Sequence, residues 1–265
     1  MKPVLDQLAA KKRIRRFFDE PLVERRATSY FIDEVSVCAD VFVFGGALRD
    51  ISLFGVPYFS SDLDIVVQVH DKAVFTNVLN QFGASQNKFG GHRLWLGRWG
   101  FDVWEVAQTW AFSVGAVEPR SHLSLLETTF FNWDAILYDW RAGSLHHGQS
   151  YFSDLAARYL ELVLEENPNN TGAFVRALRT LCLSDEIVAG PRLSKFVKKQ
   201  FDSISNIEIL SYESHSFTTK RLSEHLLSNL RDRAAEWSVG RPFRWLPKQQ
   251  LSFFEDWASS SVVNS

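Results

Sequence analysis

The chain has 265 residues, enough for one large domain or two modest ones with a real core. Its 29 Lys and Arg against 31 Asp and Glu leave a formal net charge of −2, so nothing global calls for a polyanion and any nucleotide site must be a local patch. The two cysteines, Cys38 and Cys182, lie in apolar stretches without metal-ligand spacing, which excludes a disulfide scaffold and fits a reducing cytoplasm.

The opening, MKPVLDQLAAKKRIRRFF, has no long apolar run after its charges and does not read as a secretory signal. No stretch reaches the roughly 18 apolar residues of a membrane span, and a cytoplasmic location is expected. Residues 4–37 predict helix, with apolar positions at Val4, Leu5, Leu8, Ile14, Phe17 and Phe18 and a break at Pro21. Lys11, Lys12, Arg13, Arg15 and Arg16 form either a solvated helix face or a phosphate-binding strip.

The most informative stretch is Val41 to Val69, VFVFGGALRDISLFGVPYFSSDLDIVVQV. An apolar β-type run ends in Gly45-Gly46, and after a polar turn at Ser60-Ser61 a second apolar run carries Asp62 and Asp64. Residues two apart on a strand share a face, so these carboxylates lie a few ångströms apart. Two like charges so close favour a cation between them, and oxygen ligands on a rigid strand end suit Mg²⁺ with nucleotide phosphates completing its shell. Gly45 and Gly46 let backbone amides approach those phosphates at a helix start. Arg49 pairs either with phosphate or with Asp50.

A helix is expected over 71–82, and Phe89 to Ala107 reads as a hairpin turning at Gly100. Its second strand offers Asp102 and Glu105, which point to opposite faces; Asp102 is preferred as the third carboxylate of a two-metal site, with Glu105 as the alternative. Leu125 to Val163 predicts a buried strand, a Gly143 turn, a return strand and a helix capped by Ser153 or Asp154. His146 and His147 are strand neighbours facing opposite ways, so they do not chelate together. From Thr171 the pattern is helical, with a last short helix near Phe253 to Trp257 and a frayed tail at Ser259 to Ser265. The division expected is 1–150 and 151–265.

These motifs resemble the bacterial-type tRNA nucleotidyltransferase and poly(A) polymerase family, within the polymerase-β-like nucleotidyltransferase superfamily, over residues 35–183. Gly45-Gly46-Ala47-Leu48-Arg49-Asp50 is similar to the family's Gly-Gly-x-Val-Arg-Asp opening, and Asp62-Leu63-Asp64 to its metal-binding pair. Phe101 to Ala107 looks like the following strand, where the family's Glu-Val-Ala favours Glu105. Phe131, Ala135 and Tyr138 fall on a further family segment. Asp154-Leu155 and Arg158 fall on its Asp-Leu-x-x-Arg helix, and Arg176 to Arg179 on its Arg-Ala-x-Arg neck helix. The departures are Thr128, Thr129 and Phe130 where the family has Arg-Arg-Asp, and the base-reading Glu-Asp-x-x-Arg, which becomes Asn169, Asn170 and Ala173 when placed by the Arg176 helix and still lacks its Arg when placed on Glu166-Asn167-Pro168. The chain is also shorter than the family's full body and tail.

The resemblance implies an α+β fold, a nucleotidyltransferase head with a small mixed sheet followed by a helical neck and body. The activity expected is template-independent transfer of a nucleotide or deoxynucleotide to a hydroxyl with release of pyrophosphate. Asp62 and Asp64 would hold two Mg²⁺ ions, or Mn²⁺ in their place, with Asp102 completing one site. Phe130 would contact the sugar in place of the family's aspartate, unless it is a core aromatic and the sugar is read elsewhere; strand alternation would turn one of Phe130 and Phe131 to the core and the other to the cleft. Arg176 and Arg179 would meet the base or primer from a far wall, unless they form a solvated helix face. The acceptor expected is a nucleic-acid or protein hydroxyl, Ser259 to Ser261 and Ser265 of the chain included. Three readings stand: an oligonucleotide or signal synthase in antiviral defence or stress, a tRNA 3′-end enzyme or tRNA-modifying toxin, and an inactive nucleotide-binding regulator of a protein partner.

Overall fold

The computed structural model describes residues 4, 6–19, 23–55, 62–87 and 90–246. The expected Ser60-Ser61 turn, the helix near Phe253 to Trp257 and the serine-rich tail lie outside them. The chain divides into two compact units, Met1–Ala156 and Ala157–Ser265.

The first unit is α+β. Helices α1 (Gln7–Asp19) and α2 (Val23–Ser36) lead into strand β1 (Ala39–Phe44), then helix α3 (Gly46–Phe54), strand β2 (Leu63–Val69) and helix α4 (Lys72–Gln81). Strands β3 (Ser85–Gln86), β4 (His92–Leu96) and β5 (Trp99–Glu105) follow. After the four-residue helix α5 (Trp110–Ser113) and 3-10 turns at His122–Glu127 and Asn132–Asp134, the unit ends with β6 (Ile136–Asp139), β7 (Ser144–His147) and α6 (Tyr151–Ala156). The seven strands form one mixed sheet, ordered β3-β4-β5-β2-β1-β6-β7. Only β2 and β5 run parallel; the other pairings are antiparallel.

The alternation of β5 divides its two faces. Trp99, Phe101 and Val103 are buried against the helical side, where Phe17 of α1 meets Trp99 at 5.3 Å and Phe31 of α2 meets Phe101 edge-on at 5.6 Å. The opposite face carries Gly100, Asp102 and Trp104. There Phe42, Phe44, Val66, Leu125 and Leu137 form a second apolar cluster, with Trp104, Val106, Phe112 and Leu126 packed against it. The segment between β5 and β6 thus covers part of this face.

The hairpin turns at Gly97 and Arg98, not at Gly100, because β4 ends at Leu96 and β5 begins at Trp99. Gly97 has the positive φ, 61°, that a tight turn requires, whereas Gly100 stays in the strand opposite Trp95. Helix α6 begins at Tyr151, so Asp154 lies inside it and accepts hydrogen bonds from Ser150 Oγ (2.6 Å) and Asn132 Nδ2 (2.8 Å).

The second unit is mostly helical: strand β8 (Tyr159–Leu160), helix α7 (Asn170–Leu181), strand β9 (Val188–Ala189), and helices α8 (Pro191–Ser203), α9 (Asn206–Ser216) and α10 (Glu224–Glu236). Strands β8 and β9 pair in parallel. Phe174 and Phe201 pack edge-on at 5.0 Å in its core, and Glu161 accepts from the amides of Arg192 (3.2 Å) and Leu193 (2.7 Å) at the start of α8. Among the described residues no helix is long and apolar enough to cross a membrane.

Candidate active site

Four neighbouring strands, β1, β2, β5 and β4, assemble the site. β1 ends at Phe44, and Gly45 then turns the chain into α3 with φ 71° and ψ −131°, a conformation essentially confined to glycine. In register, Phe44 of β1 faces Asp64 of β2, and Asp64 faces Asp102 of β5. Asp102 in turn faces Arg93 of β4. One row across four strands therefore reads Phe44, Asp64, Asp102, Arg93. Its members share a face, since directly paired residues project to the same side.

Asp62 lies one pleat beyond Asp64, over Gly100. A Cβ on Gly100 would stand 2.6 Å from Asp62 Oδ1 and 3.0 Å from Arg93 Nη2, so this strand position has room only for glycine while the carboxylate keeps its place. Arg93 links two of the three acids: Nη2 donates to Asp62 Oδ2 at 2.6 Å, and Nη1 donates to Asp102 Oδ2 at 2.9 Å. The same guanidinium lies 5.1 Å from the Trp95 ring centre. The Asp62 bond and the charges of both acids hold Arg93 above its ordinary pKa. Burial raises the Asp102 carboxyl, with the Asp62 charge adding to it and Arg93 opposing both.

Glu105 sits on the other face of β5, paired with Lys72 at the start of α4, and so stands apart from the row. Arg49 of α3 donates through Nε to Asp50 at 2.8 Å and through Nη1 to Asp134. Burial disfavours its charge, but Asp134 and Asp50 outweigh this and hold the guanidinium above its ordinary value. Arg49 thus ties the first turn of α3 to the Asn132–Asp134 turn. Gly45 fits between these features: its amide donates to Ile136 O at 3.0 Å, and a Cβ there would lie 3.9 Å from Asp64 Oδ2.

The remaining residues singled out from the sequence lie in other settings. Phe130 and Phe131 are both buried, 6% and 0% exposed, with ring centres 4.6 Å apart, rather than one facing the core and the other a cleft. Thr128 and Thr129 turn their hydroxyls back to the carbonyls of Leu125 (2.8 Å) and Leu126 (3.2 Å). Arg176 and Arg179 belong to α7 of the second unit. Arg176 is exposed, while Arg179 pairs with buried Glu213, donates to Thr219 O at 2.7 Å and stacks on Phe217 at 4.0 Å. His146 meets Ser144 Oγ at 2.9 Å and His147 meets Gly148 O at 2.8 Å, so the two rings diverge. Arg93, Gly100 and Asp134 were not foreseen as site residues; only the pairing of β4, β5 and β2 brings the first two to the acids.

Whether this donor set suits a divalent cation is answered by Arg93. A cationic group already stands between Asp62 and Asp102, since the Arg93 guanidinium pairs with one oxygen of each. Carboxylate oxygens on rigid strand ends are the hard donors that Mg²⁺ and Mn²⁺ take. As the side chains stand, no group of three His, Cys, Asp or Glu among the described residues is arranged to hold a metal ion.

No family model matches the chain, and no curated protein matches it. Among solved structures, it is similar at 16% identity and a TM-score of 0.48 to a tRNA-processing enzyme in an apo form, over 91% of this chain and 65% of that one. A CCA-adding enzyme complexed with CTP is similar at 17% identity and a TM-score of 0.48, over 88% of this chain and 62% of that one. The Thermotoga maritima CCA-adding enzyme complexed with tRNA is similar at 19% identity and a TM-score of 0.45, over 84% of this chain and 60% of that one. The chain thus spans less than two thirds of the length of these three structures.

Proposed function

We propose that the chain is a metal-dependent nucleotidyltransferase that moves a nucleotidyl group from a nucleoside triphosphate to a hydroxyl and releases pyrophosphate. The observation that carries this reading is the row of acids: Asp64 and Asp102 in register on adjacent strands, with Asp62 one pleat away on the same face and the Gly45-Gly46 turn beside Asp64. Asp62, Asp64 and Asp102 would hold the divalent ions. Bound there, the ions would supply charge stabilisation to the phosphoryl oxygens and a lowered pKa to the attacking hydroxyl.

The protein's own part is binding and orientation. The amides of α3 from Gly46 onward would face the phosphates with the positive end of the helix dipole, the Gly45 amide being engaged by Ile136 O. Gly45 is required there by its positive φ of 71°, which would strain the backbone of any other residue. Arg49, engaged by Asp50 and Asp134, holds that helix start in position against the neighbouring turn. The rigid sheet keeps the acids at fixed spacing, as in-line displacement needs little else from the protein than positioning and charge.

The acceptor is a nucleic-acid or protein hydroxyl, and both ribo- and deoxyribonucleotides belong in the test. Purified protein is incubated with Mg²⁺ or Mn²⁺ and each labelled NTP or dNTP, with and without tRNA and short RNA. Incorporation and pyrophosphate release that vanish in Asp62→Asn and Asp64→Asn support the reading. No release with any nucleotide and either metal, from folded protein, overturns it.

A further inference from the structure

Arg93 does more than neutralise two acids. Its forked donors take one oxygen from each of Asp62 and Asp102, at 2.6 and 2.9 Å, and the three side chains form a closed bridge over Gly100. A forked guanidinium suits two acceptors on adjacent strands in a way that a lysine ammonium, a point charge, does not. The bridge is only partly shielded: Arg93, Asp62 and Asp102 have side-chain exposures of 36%, 43% and 27%. Solvent exchange and opening are thus available to it, unlike the far more enclosed Arg179–Glu213 pair. An aromatic surface lies at hand as well, since the guanidinium already faces the exposed ring of Trp95.

From this geometry we propose that Arg93 is a built-in competitor for the divalent cation, closing the site by bridging Asp62 and Asp102 and giving way when the ion binds. The proposal rests on the metal role of Asp62 and Asp102 stated above. A guanidinium and a metal ion cannot hold the same two oxygens at once. Every ion bound there therefore works against two charge-assisted hydrogen bonds, and Arg93 sets how much free cation the site requires. The same bridge keeps the acids from repelling each other before the ion arrives.

The experiment measures metal affinity directly, without turnover. Full-length protein is titrated with Mn²⁺ while the free ion is followed by electron paramagnetic resonance, for wild type, Arg93→Gln, Arg93→Lys, Arg98→Gln and Asp62→Asn. Arg98 is an exposed cation on the same hairpin, over Trp99 at 5.1 Å, so its substitution removes an equal charge without touching the bridge. Arg93→Gln should bind Mn²⁺ about tenfold more tightly than wild type, with Arg93→Lys between them, whereas Arg98→Gln should change affinity by no more than about twofold. Circular dichroism reports folding, and Arg93→Lys carries the test should Arg93→Gln fail to fold. Equal affinity in wild type and the Arg93 variants, with binding lost in Asp62→Asn, overturns the competitor and leaves the function standing. An equal gain from Arg98→Gln overturns it too, since the effect would then be general charge. Mn²⁺ binding unaffected by Asp62→Asn overturns the competitor and the metal role together.

Discussion

Asp64 and Asp102 are direct register partners across β2 and β5, the one parallel pairing in the seven-stranded sheet. Neighbouring strands lie about 4.8 Å apart, so these two carboxylates project side by side from a rigid surface. Asn at either position keeps the shape and removes the charge. Each substitution should lower nucleotide incorporation at least about a hundredfold, or ~2.7 kcal/mol of transition-state stabilisation, with a melting temperature close to wild type. Glu105→Gln, on the opposite face, should cost less than about 1 kcal/mol through the exposed Lys72 pair and leave incorporation intact. Single-turnover rates for the three variants check the contrast; equal loss in Glu105→Gln would move the third acid there.

Gly100→Ala probes the seat of Asp62. The added methyl would arrive 2.6 Å from Asp62 Oδ1, so the carboxylate must move, although alanine is acceptable to a strand backbone. Incorporation should fall about tenfold or more while thermal unfolding stays nearly unchanged. Steady-state kinetics beside calorimetry distinguishes this from a folding defect. Full activity would show that Asp62 need not occupy the position over Gly100.

Arg49 separates structure from substrate binding. Its substitution by alanine removes the cation shared by Asp50 and Asp134, whose side chains are 15% and 5% exposed, and should destabilise the fold by about 3 kcal/mol in urea unfolding. Arg49→Lys should recover part of this through the charge alone. A stable Arg49→Ala protein with a raised KM for triphosphate would instead assign the side chain to phosphate.

Phe130 is packed against Phe131 in the core, which argues for a structural part. Phe130→Ala should cost about 3 kcal/mol or more of stability and leave the ratio of ATP to dATP incorporation unchanged. A shifted ratio in folded variant would return the ring to the sugar, as the family comparison of residues 128–130 implied.

Cys182 carries a pH dependence. Partial burial, with the Glu213 charge adding to it, pushes its thiol up to about 12. Relative to an ordinary cysteine this leaves roughly a thousandfold less thiolate at pH 8.5. Iodoacetamide should therefore label Cys182 far more slowly in native protein than in urea. Because the folded state holds the proton more tightly, this group's contribution to stability is complete below the unfolded value near 8.5 and declines as pH rises toward 12. Equally fast labelling in both states would contradict the burial.

Local pattern alone determined much of this molecule. Alternation along Asp62-Leu63-Asp64 sets both acids on one face, and the same rule separates Asp102 from Glu105. The glycine pair marks a strand-to-helix turn because few other residues tolerate the φ that Gly45 adopts. The helical pattern after Thr171 likewise follows from periodicity within one segment. The rest needed neighbours from elsewhere in the chain. Arg93 reaches acids 9 and 31 positions away only because β4 pairs with β5 and β5 with β2, and no local rule states which strands will be adjacent. Gly100 looked like a turn glycine; the pairing shows it instead as the space that Asp62 occupies. Asp134, 85 positions from Arg49, belongs to the same class. Periodicity fixes the face on which a side chain projects, but strand order and register decide what it meets there.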